Sequence, residues 1–105
     1  MIKSGGEWIS SLDVENAIMA HPDVAEATVV GLEHAKWQER PAAFIVPKPG
    51  SDITPESVRE FLAPRIAHWW MPDEIVFIDA IPKTGTGKFD KKVVRERYAD
   101  LLLET

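Results

Sequence analysis

Three stretches of the chain carry apolar residues in the pattern typical of strands. Residues 24–32 first alternate and then become wholly apolar, residues 42–50 are apolar up to a closing Pro and Gly, and residues 74–79 form a third run. β-Branched residues are frequent in the first stretch, as expected of a strand. The pattern predicts three strands, of which the first two can pair antiparallel across a polar connection at residues 31–41.

A short hairpin and three helices complete the predicted elements. Two brief extended pieces around a Gly turn predict a hairpin over residues 1–9. Ser10 can cap a helix that ends near Pro22, and Thr54-Pro55-Glu56 starts a second helix that Pro64 interrupts. Apolar residues at i, i+4, i+7 and i+8 predict a C-terminal helix; they are Val94, Tyr98, Leu101 and Leu102.

The order hairpin, α, β, β, α, β, loop, α predicts one α+β domain over residues 1–105. We expect a small, mostly antiparallel sheet flanked by helices, with the β-hairpin at the N-terminus. The sequence has no cysteine, which excludes a disulfide scaffold and a thiolate metal site. His21, His34 and His68 have no metal-ligand spacing, so no metal site is predicted. No apolar run approaches the ~20 residues that span a bilayer, and we expect a cytoplasmic protein without a transmembrane segment.

The net charge of −5 is unevenly distributed. Residues 81–97 hold six basic and two acidic side chains, a net +4, which leaves −9 for the rest of the chain. A basic end on an acidic body suggests that this end meets an anion, although a solvated basic helix gives the same count. The acidic total opposes duplex binding, so we expect no nucleic-acid partner.

The basic region begins with "PKTGTGK" at residues 82–88, which has the look of a phosphate loop. A Walker A motif needs Gly at position 82 and Ser or Thr at position 89, where this chain has Pro82 and Phe89. Proline has no N–H to donate to a phosphate, so the sequence argues against a nucleotide loop of this kind. What remains is Lys88 on a loop with Gly85 and Gly87. Its ammonium could be delivered to an anion, or it could be an ordinary exposed lysine.

Four segments in this order resemble the C-terminal region of the adenylate-forming enzymes, and most closely that of medium- or long-chain fatty acyl-CoA synthetases. "PKTGTGK" resembles the family's Pro-x4-Gly-Lys signature. "KSGGEWISSLDVE" (3–15) resembles the loop after the interdomain hinge, including the spacing from Gly6 to Glu15. The other two are "HPDVAEATVVGLEHAKWQERPAAFIV" (21–46) and "WWMPDEIVFIDAIPKTGTGKFDKKVVRERY" (69–98).

The resemblance implies that residues 1–105 are the small C-terminal lid of a larger enzyme. The partner would be its own N-terminal domain, which would bind ATP, Mg²⁺ and the fatty acid and is absent here, as is the family's hinge acid. In the family, ATP and the fatty acid first give an acyl-adenylate, and CoA then gives the thioester after the lid has rotated. We expect the isolated lid to be inactive, and "RYADLLLET" is typical of a chain end.

The resemblance also assigns roles to individual residues. Lys88 would be the catalytic lysine of adenylation, carried by the glycine loop of Gly85 and Gly87. Gly6 would line the CoA tunnel, and Gly5 is also assigned to the CoA-binding surface, mainly as part of the turn beside the tunnel. Acetylation of Lys88 by a lysine acetyltransferase would remove its charge and stop the first step.

The CoA nucleotide would meet aromatic residues on this lid. Trp37 and Trp69 stand where some relatives use aromatics against the adenine, although either could simply pack, and Trp70 is expected to pack or to meet the other domain. Met71 replaces a basic residue that some relatives use for the CoA phosphates, and Trp8 replaces an arginine. These two differences leave the phosphate contacts open.

Two alternatives stay open at this point. The chain could be a stand-alone docking module for a partner or for the phosphopantetheine arm of a carrier, without catalysis. It could also belong to another adenylate-forming enzyme, such as a peptide synthetase, in which a carrier domain would follow Thr105. The acyl chain length and the oligomeric state cannot be inferred from these residues.

Overall fold

The computed structural model describes residues 2–102 of the chain. It contains five strands, three α-helices and one short 3₁₀ helix, which are, in chain order, β1 (Ile2–Ser4), β2 (Glu7–Ile9), α1 (Ser11–Met19), β3 (Val24–His34), β4 (Gln38–Pro47), α2 (Pro55–Leu62), the 3₁₀ helix (His68–Trp70), β5 (Glu74–Phe77) and α3 (Lys91–Arg97). The predicted α+β class is therefore confirmed.

The long β3–β4 hairpin forms the most extensive strand pairing of the sheet, with β3 at the edge. β4 pairs antiparallel with β3 along nearly its whole length, from His34↔Gln38 at the turn to Val24↔Pro47. On its other edge β4 pairs antiparallel with β1 near Gln38 and in parallel with β5 further along. The N-terminal hairpin of β1 and β2 thus extends the sheet at the end where the β3–β4 turn lies.

Both faces of the sheet are covered, because side chains of β3 and β4 alternate between two cores. The first core lies under α1 and α2 and includes Val29, Ala43 and Ile45. The second lies on the opposite face and includes Val30 and Phe44 with residues from α3 and its flanks, namely Ile81, Val94 and Leu102. Burial on both faces explains the wholly apolar run in the middle of β3, where simple alternation ends.

The predicted helix starts are confirmed by their caps. The Ser10 side chain accepts a hydrogen bond from the Asp13 N–H, and the Thr54 side chain accepts one from the Ser57 N–H. In return, the Ser57 hydroxyl accepts a hydrogen bond from the Thr54 N–H, which completes a capping box. α3 begins after Asp90, whose carboxylate accepts from the Val93 N–H.

Several predicted boundaries are wrong. Residues 31–41 are not a polar connection: β3 continues to His34 and β4 begins at Gln38, so only three residues form the turn. The polar side chains there misled the prediction because the hairpin tip projects into solvent, where strand residues need not be apolar. β4 also ends at Pro47 and β5 at Phe77, and the 3₁₀ helix was not predicted.

The C-terminal helix is also shorter than predicted, since α3 ends at Arg97 and turns follow. Its apolar spacing still has a structural basis, because Tyr98, Leu101 and Leu102 all pack with Val94 in the second core. Within residues 2–102, no helix combines the length and the apolar character needed to cross a membrane.

Candidate functional site

A cleft of about 570 Å³ lies beside the β3–β4 turn and gathers three of the four residues predicted to meet CoA. Gly5, Trp37 and Trp69 all line it. The remaining lining comes from β1, β2 and β4 and from the segment before β5, namely Ser4, Glu7, Arg40, His68 and Asp73. Gly6 follows Gly5 in the β1–β2 turn but is not among the lining residues.

The two tryptophans present much of their surface to solvent. Trp37 is 43% exposed and Trp69 is 53% exposed, so neither is a core residue, unlike the partly buried Trp70, which packs against the first core as predicted. An exposed indole is a flat, apolar surface on which a base or another planar group can stack. Their role in binding stays a prediction, but the two rings are available for it.

Gly5 is fixed against Trp37 by a close contact. The Gly5 N–H donates to the Trp37 carbonyl at 2.8 Å, and a Cβ added to Gly5 would lie 2.7 Å from Cε3 of the indole ring. Gly5 also has a positive φ of 54°. Any side chain at this position would therefore push the Trp37 ring out of the cleft wall, which is a more specific role than the turn formation predicted for Gly5.

Gly6 has a different requirement. Its φ of 92° is unfavourable for residues with a side chain, yet a Cβ there would meet no atom within 4 Å. Within the described residues, nothing in the space around Gly6 therefore selects glycine. If a side chain at Gly6 obstructs anything, it must obstruct a molecule or a domain outside these residues.

Arg40 holds the wall of the cleft together and was not predicted as a site residue. Its guanidinium donates to the Asp73 carboxylate at 2.8 Å and to the Ser4 hydroxyl at 3.1 Å. It also donates to the backbone carbonyls of Trp69 and Met71, each at 3.1 Å. These bonds use Nε and both terminal nitrogens, so Arg40 is a structural clamp rather than a free cation. Arg40 was missed because it lies within residues 31–41, which were predicted to be a polar connection.

Lys36 also places positive charge against the stacking surface, since its ammonium lies 4.9 Å from the centroid of the Trp37 ring. Met71, by contrast, packs against the first core. His34 shapes the turn, since its Nδ1 accepts from the Lys36 N–H at 3.0 Å. Among residues 2–102, no cluster of three or more His, Cys, Asp or Glu could hold a metal ion.

The second predicted site, around Lys88, is a compact hairpin. Lys83 and Phe89 form an isolated antiparallel bridge, and the Thr84 N–H donates to the Lys88 carbonyl at 2.8 Å. Inside it the Gly87 N–H donates to the Thr84 carbonyl at 3.0 Å, and Gly87 has a φ of 85°. A three-residue loop that ends on a left-handed Gly is a common hairpin connection. We call residues 83–89 the lysine hairpin.

Lys88 is exposed, and within the described part of the chain its ammonium has neither an ion pair nor a hydrogen bond. The other lysines of this region differ. Lys83 pairs with Glu26 at 2.9 Å, and Lys91 pairs with Glu15 at 2.8 Å. Gly85 lies in open space with no positive φ, so only Gly87 of the two loop glycines is required by the backbone.

The two predicted sites lie toward opposite ends of the β3–β4 hairpin. The lysine hairpin is tied to Glu26, near the start of β3, whereas the cleft forms around Trp37, just after β3 ends. Glu26 and His34 are eight positions apart along β3, which corresponds to about 25 Å of strand. A single small ligand cannot contact both sites at once on that scale.

Comparison with known proteins gives this arrangement a family. The AMP-binding enzyme C-terminal domain model matches residues 13–88. The chain is 54% identical over 99 residues to a long-chain-fatty-acid–CoA ligase of Thermus thermophilus, which covers 93% of this chain and 18% of that protein. It is 42% identical to a medium-chain-fatty-acid–CoA ligase of Ectopseudomonas oleovorans, over 100% of this chain and 19% of that protein.

Solved structures agree with the sequence relatives. ATP-bound MatB from Rhodopseudomonas palustris matches with a TM-score of 0.92 and 32% identity, covering 95% of this chain and 20% of that one. A Mycobacterium tuberculosis fatty acyl CoA synthetase matches with a TM-score of 0.90 and 36% identity, covering 96% and 20%. The chain thus spans about a fifth of the length of the proteins it matches. It belongs to the AMP-binding enzyme C-terminal domain family of adenylate-forming enzymes.

Proposed function

We propose that this chain is the mobile C-terminal domain of an ATP-dependent fatty acid–CoA ligase. The relatives that support this proposal are themselves long- and medium-chain-fatty-acid–CoA ligases, and this chain corresponds to a fifth of each. The larger part of such an enzyme would bind ATP, Mg²⁺ and the fatty acid. The isolated domain would have no ligase activity, because it offers only two small surfaces to the reaction.

Lys88 acts in the first half-reaction. An oxygen of the fatty acid carboxylate attacks the α-phosphorus of ATP, a new P–O bond forms, and pyrophosphate leaves. Both reactants are anions, so a cation between them lowers their repulsion and stabilises the charge of the transition state. Lys88 is exposed and its ammonium is unpaired within residues 2–102, which supports this role, since it has no partner there to leave when the lid closes.

The cleft acts in the second half-reaction. The CoA thiolate attacks the carbonyl carbon of the acyl-adenylate, a C–S bond forms, and AMP leaves. The Trp37 and Trp69 faces supply a stacking surface for the adenine of CoA, and Lys36 supplies positive charge beside Trp37. Gly6 lies where the backbone can border the pantetheine arm without a side chain in its path.

The observation that carries the proposal is the separation of the two surfaces. The lysine hairpin and the cleft lie toward opposite ends of a hairpin about 25 Å apart along the strand, so they cannot serve one reaction centre in one orientation. A domain that rotates between the two half-reactions can present first one end and then the other. Exclusion of water in the first orientation would also protect the acyl-adenylate.

The experiment uses Lys88→Ala in the full-length protein that contains this chain. We expect ATP–pyrophosphate exchange with fatty acid to fall by orders of magnitude, because removal of a transition-state donor costs about 100- to 1,000-fold. Thioester formation from preformed acyl-adenylate and CoA should persist. Retention of both reactions would remove Lys88 from the mechanism and favour a docking module without catalysis.

A carrier-bound thiol is a second candidate acceptor. A fatty acid–[acyl-carrier-protein] ligase, ScoC of Streptomyces coeruleorubidus, is 37% identical to this chain over 93 residues. The cleft could border a phosphopantetheine arm as well as free CoA, but only CoA brings an adenine for the tryptophans. Comparison of CoA with a holo-carrier as acceptor, in wild type and Trp69→Ala, separates them: the substitution should impair only the reaction with CoA.

Acetylation of Lys88 would regulate the first half-reaction. The modification removes the positive charge, and the exposure of Lys88 makes the side chain accessible to a lysine acetyltransferase. Incubation of the full-length protein with an acetyltransferase and acetyl-CoA, followed by peptide mass spectrometry, should find acetyl-Lys88 with a matching loss of pyrophosphate exchange. An unmodified Lys88 in that assay would contradict the regulation.

A further inference from the structure

Two ion pairs tie the lysine hairpin to the body of the domain, one at its first residue and one just after its last. At its start, Lys83 Nζ lies 2.9 Å from Glu26 Oε2. Just beyond its end, Lys91 Nζ lies 2.8 Å from Glu15 Oε1. Lys88 lies between the two tied lysines and is itself unpaired within residues 2–102. The chain therefore fixes the base of the hairpin and leaves its functional side chain available.

Of the two acidic partners, Glu15 has the additional contacts with the rest of the domain. The residue is only 8% exposed, and its Oε1 also accepts hydrogen bonds from the Thr28 hydroxyl and the Val29 N–H, both at 2.8 Å. The carboxylate is thus held by β3 while its backbone belongs to α1. A carboxylate fixed in this way offers Lys91 an acceptor whose position is set by the rigid part of the domain.

The connection from Lys91 to Lys88 is short and is held by contacts with its surroundings. Only Phe89 and Asp90 separate them; Phe89 packs against the second core, and the Asp90 N–H donates to the Pro82 carbonyl at 2.7 Å. Three residues span at most about 10 Å, so a displacement of Lys91 reaches Lys88 with little attenuation. Through Lys91, Glu15 on α1 can therefore influence where the Lys88 side chain stands, although Lys88 lies on the other face of the sheet.

We propose that Glu15 and Lys91 are positioning residues for Lys88: their ion pair sets where the lysine hairpin stands when the lid closes for adenylation. This inference rests on the proposed function of Lys88. The exposed Lys83–Glu26 pair contributes less, because its side chains are 44% and 31% exposed and surface pairs are weak. Glu15 and Lys91 contact no reacting atom in this account, so they act only through Lys88.

The test compares Lys91→Gln with Lys92→Gln in the full-length protein. Both remove one positive charge from α3, but Lys92 is exposed and has no ion pair in the described chain. We expect Lys91→Gln to lower kcat for ATP–pyrophosphate exchange by about tenfold, since small displacements of catalytic groups are costly. The KM for ATP and thioester formation from preformed acyl-adenylate should stay unchanged. Lys92→Gln should match wild type in every assay, and Lys91→Arg should restore most of the lost kcat.

Glu15→Gln provides the same test from the other side. The amide oxygen can still accept from Thr28 and Val29, so the fold is preserved while the charge opposite Lys91 is lost. We expect the same selective loss of exchange as in Lys91→Gln, and no further loss when the two substitutions are combined. An additive double variant would contradict a shared ion pair.

A second readout is independent of activity. Trypsin cleaves after Lys88, and the site persists in the Gln variants, so cleavage at Lys88–Phe89 reports how firmly the hairpin is held. Limited digestion of the folded protein should be several-fold faster there in Lys91→Gln and unchanged in Lys92→Gln. Equal behaviour of the two variants in exchange and in digestion would overturn the inference, as would an equal loss of both half-reactions in Lys91→Gln.

The same design distinguishes the inference from the proposed function. If Lys88→Ala retains pyrophosphate exchange, the role of Lys88 fails whatever the digestion shows. If Lys88→Ala abolishes exchange while Lys91→Gln leaves it intact, only the positioning role fails. If Lys91→Gln unfolds the protein, as thermal melting would detect, Lys91→Arg and Glu15→Gln decide the matter in its place.

Discussion

The two ends of this small domain are built in opposite ways. At the cleft, rigid contacts surround the predicted ligand surface: Gly5 abuts Trp37, and Arg40 clamps four partners. At the other end, a hairpin held by two ion pairs presents Lys88, which has no ion pair in the described part of the chain. A stacking site needs preformed surfaces, whereas a lysine that meets two anions needs a charge free of local partners. The difference suggests that each end is shaped by the step it would serve.

After Lys88→Ala, the largest expected effect comes from Gly5→Val. The new side chain would collide with the Trp37 ring, and the positive φ adds strain, so the cleft wall should be displaced. We expect thioester formation from preformed acyl-adenylate to fall by about 100-fold, with pyrophosphate exchange within twofold of wild type. Stopped-flow measurement of the two half-reactions checks this. Gly50→Val is a matched control, since Gly50 also has a positive φ but lies in open space outside the cleft.

A somewhat smaller effect should follow Arg40→Met, this time on stability. The substitution keeps an apolar stem but removes hydrogen bonds to Ser4, Trp69 and Met71 and the ion pair with Asp73. Because Asp73 is partly exposed, we expect a cost of about 2 kcal/mol in unfolding free energy rather than the value for a fully buried pair. Chemical denaturation monitored by tryptophan fluorescence measures it. A change below about 0.5 kcal/mol would contradict the clamp.

Trp69→Ala should be milder and confined to the cleft. Loss of one stacking face should raise the KM for CoA about tenfold, with little change in the KM for ATP. Trp8→Ala is a suitable control, because Trp8 is similarly exposed but does not line the cleft. Steady-state kinetics with varied CoA provides the measurement. An equal rise in both variants would argue for a general surface effect.

The smallest effect is expected at the surface pair of the lysine hairpin. Glu26→Gln removes the partner of Lys83, but both side chains are well solvated. Pyrophosphate exchange should change by less than about threefold, and the change should shrink further in high salt. Measurement at two ionic strengths tests both statements. A loss as large as that of Lys91→Gln would mean that the Lys83–Glu26 and Lys91–Glu15 ion pairs contribute equally, although their burial differs.

The sequence predicted the elements of the fold better than their boundaries. Helix starts followed from Ser10 and Thr54, since a cap is a local interaction that neighbouring residues determine. The polar residues between β3 and β4 were taken for a connection because a solvent-exposed hairpin tip carries no apolar signal. Tyr98 and Leu101 pack against the second core although they follow the end of α3. Their apolar spacing was therefore mistaken for a continuation of the helix.

The candidate site was predicted in its parts but not in its arrangement. Trp37, Trp69 and Lys88 stood out as residue types with a chemical use, and resemblance to a family supplied their roles. Arg40, Glu15 and Lys91 did not, because their roles depend on partners that are 13 to 76 residues away in sequence and that only the folded sheet brings together. Such couplings have no signature in local sequence.

The most direct test of the central claim compares Lys88→Ala with Gly5→Val in one experiment. With ATP, fatty acid and CoA present, pyrophosphate release and bound acyl-adenylate are measured per active site in a single turnover. We predict that Gly5→Val releases one equivalent of pyrophosphate and accumulates acyl-adenylate, whereas Lys88→Ala does neither. Loss of pyrophosphate release in both variants alike would contradict the assignment of the two ends to separate half-reactions.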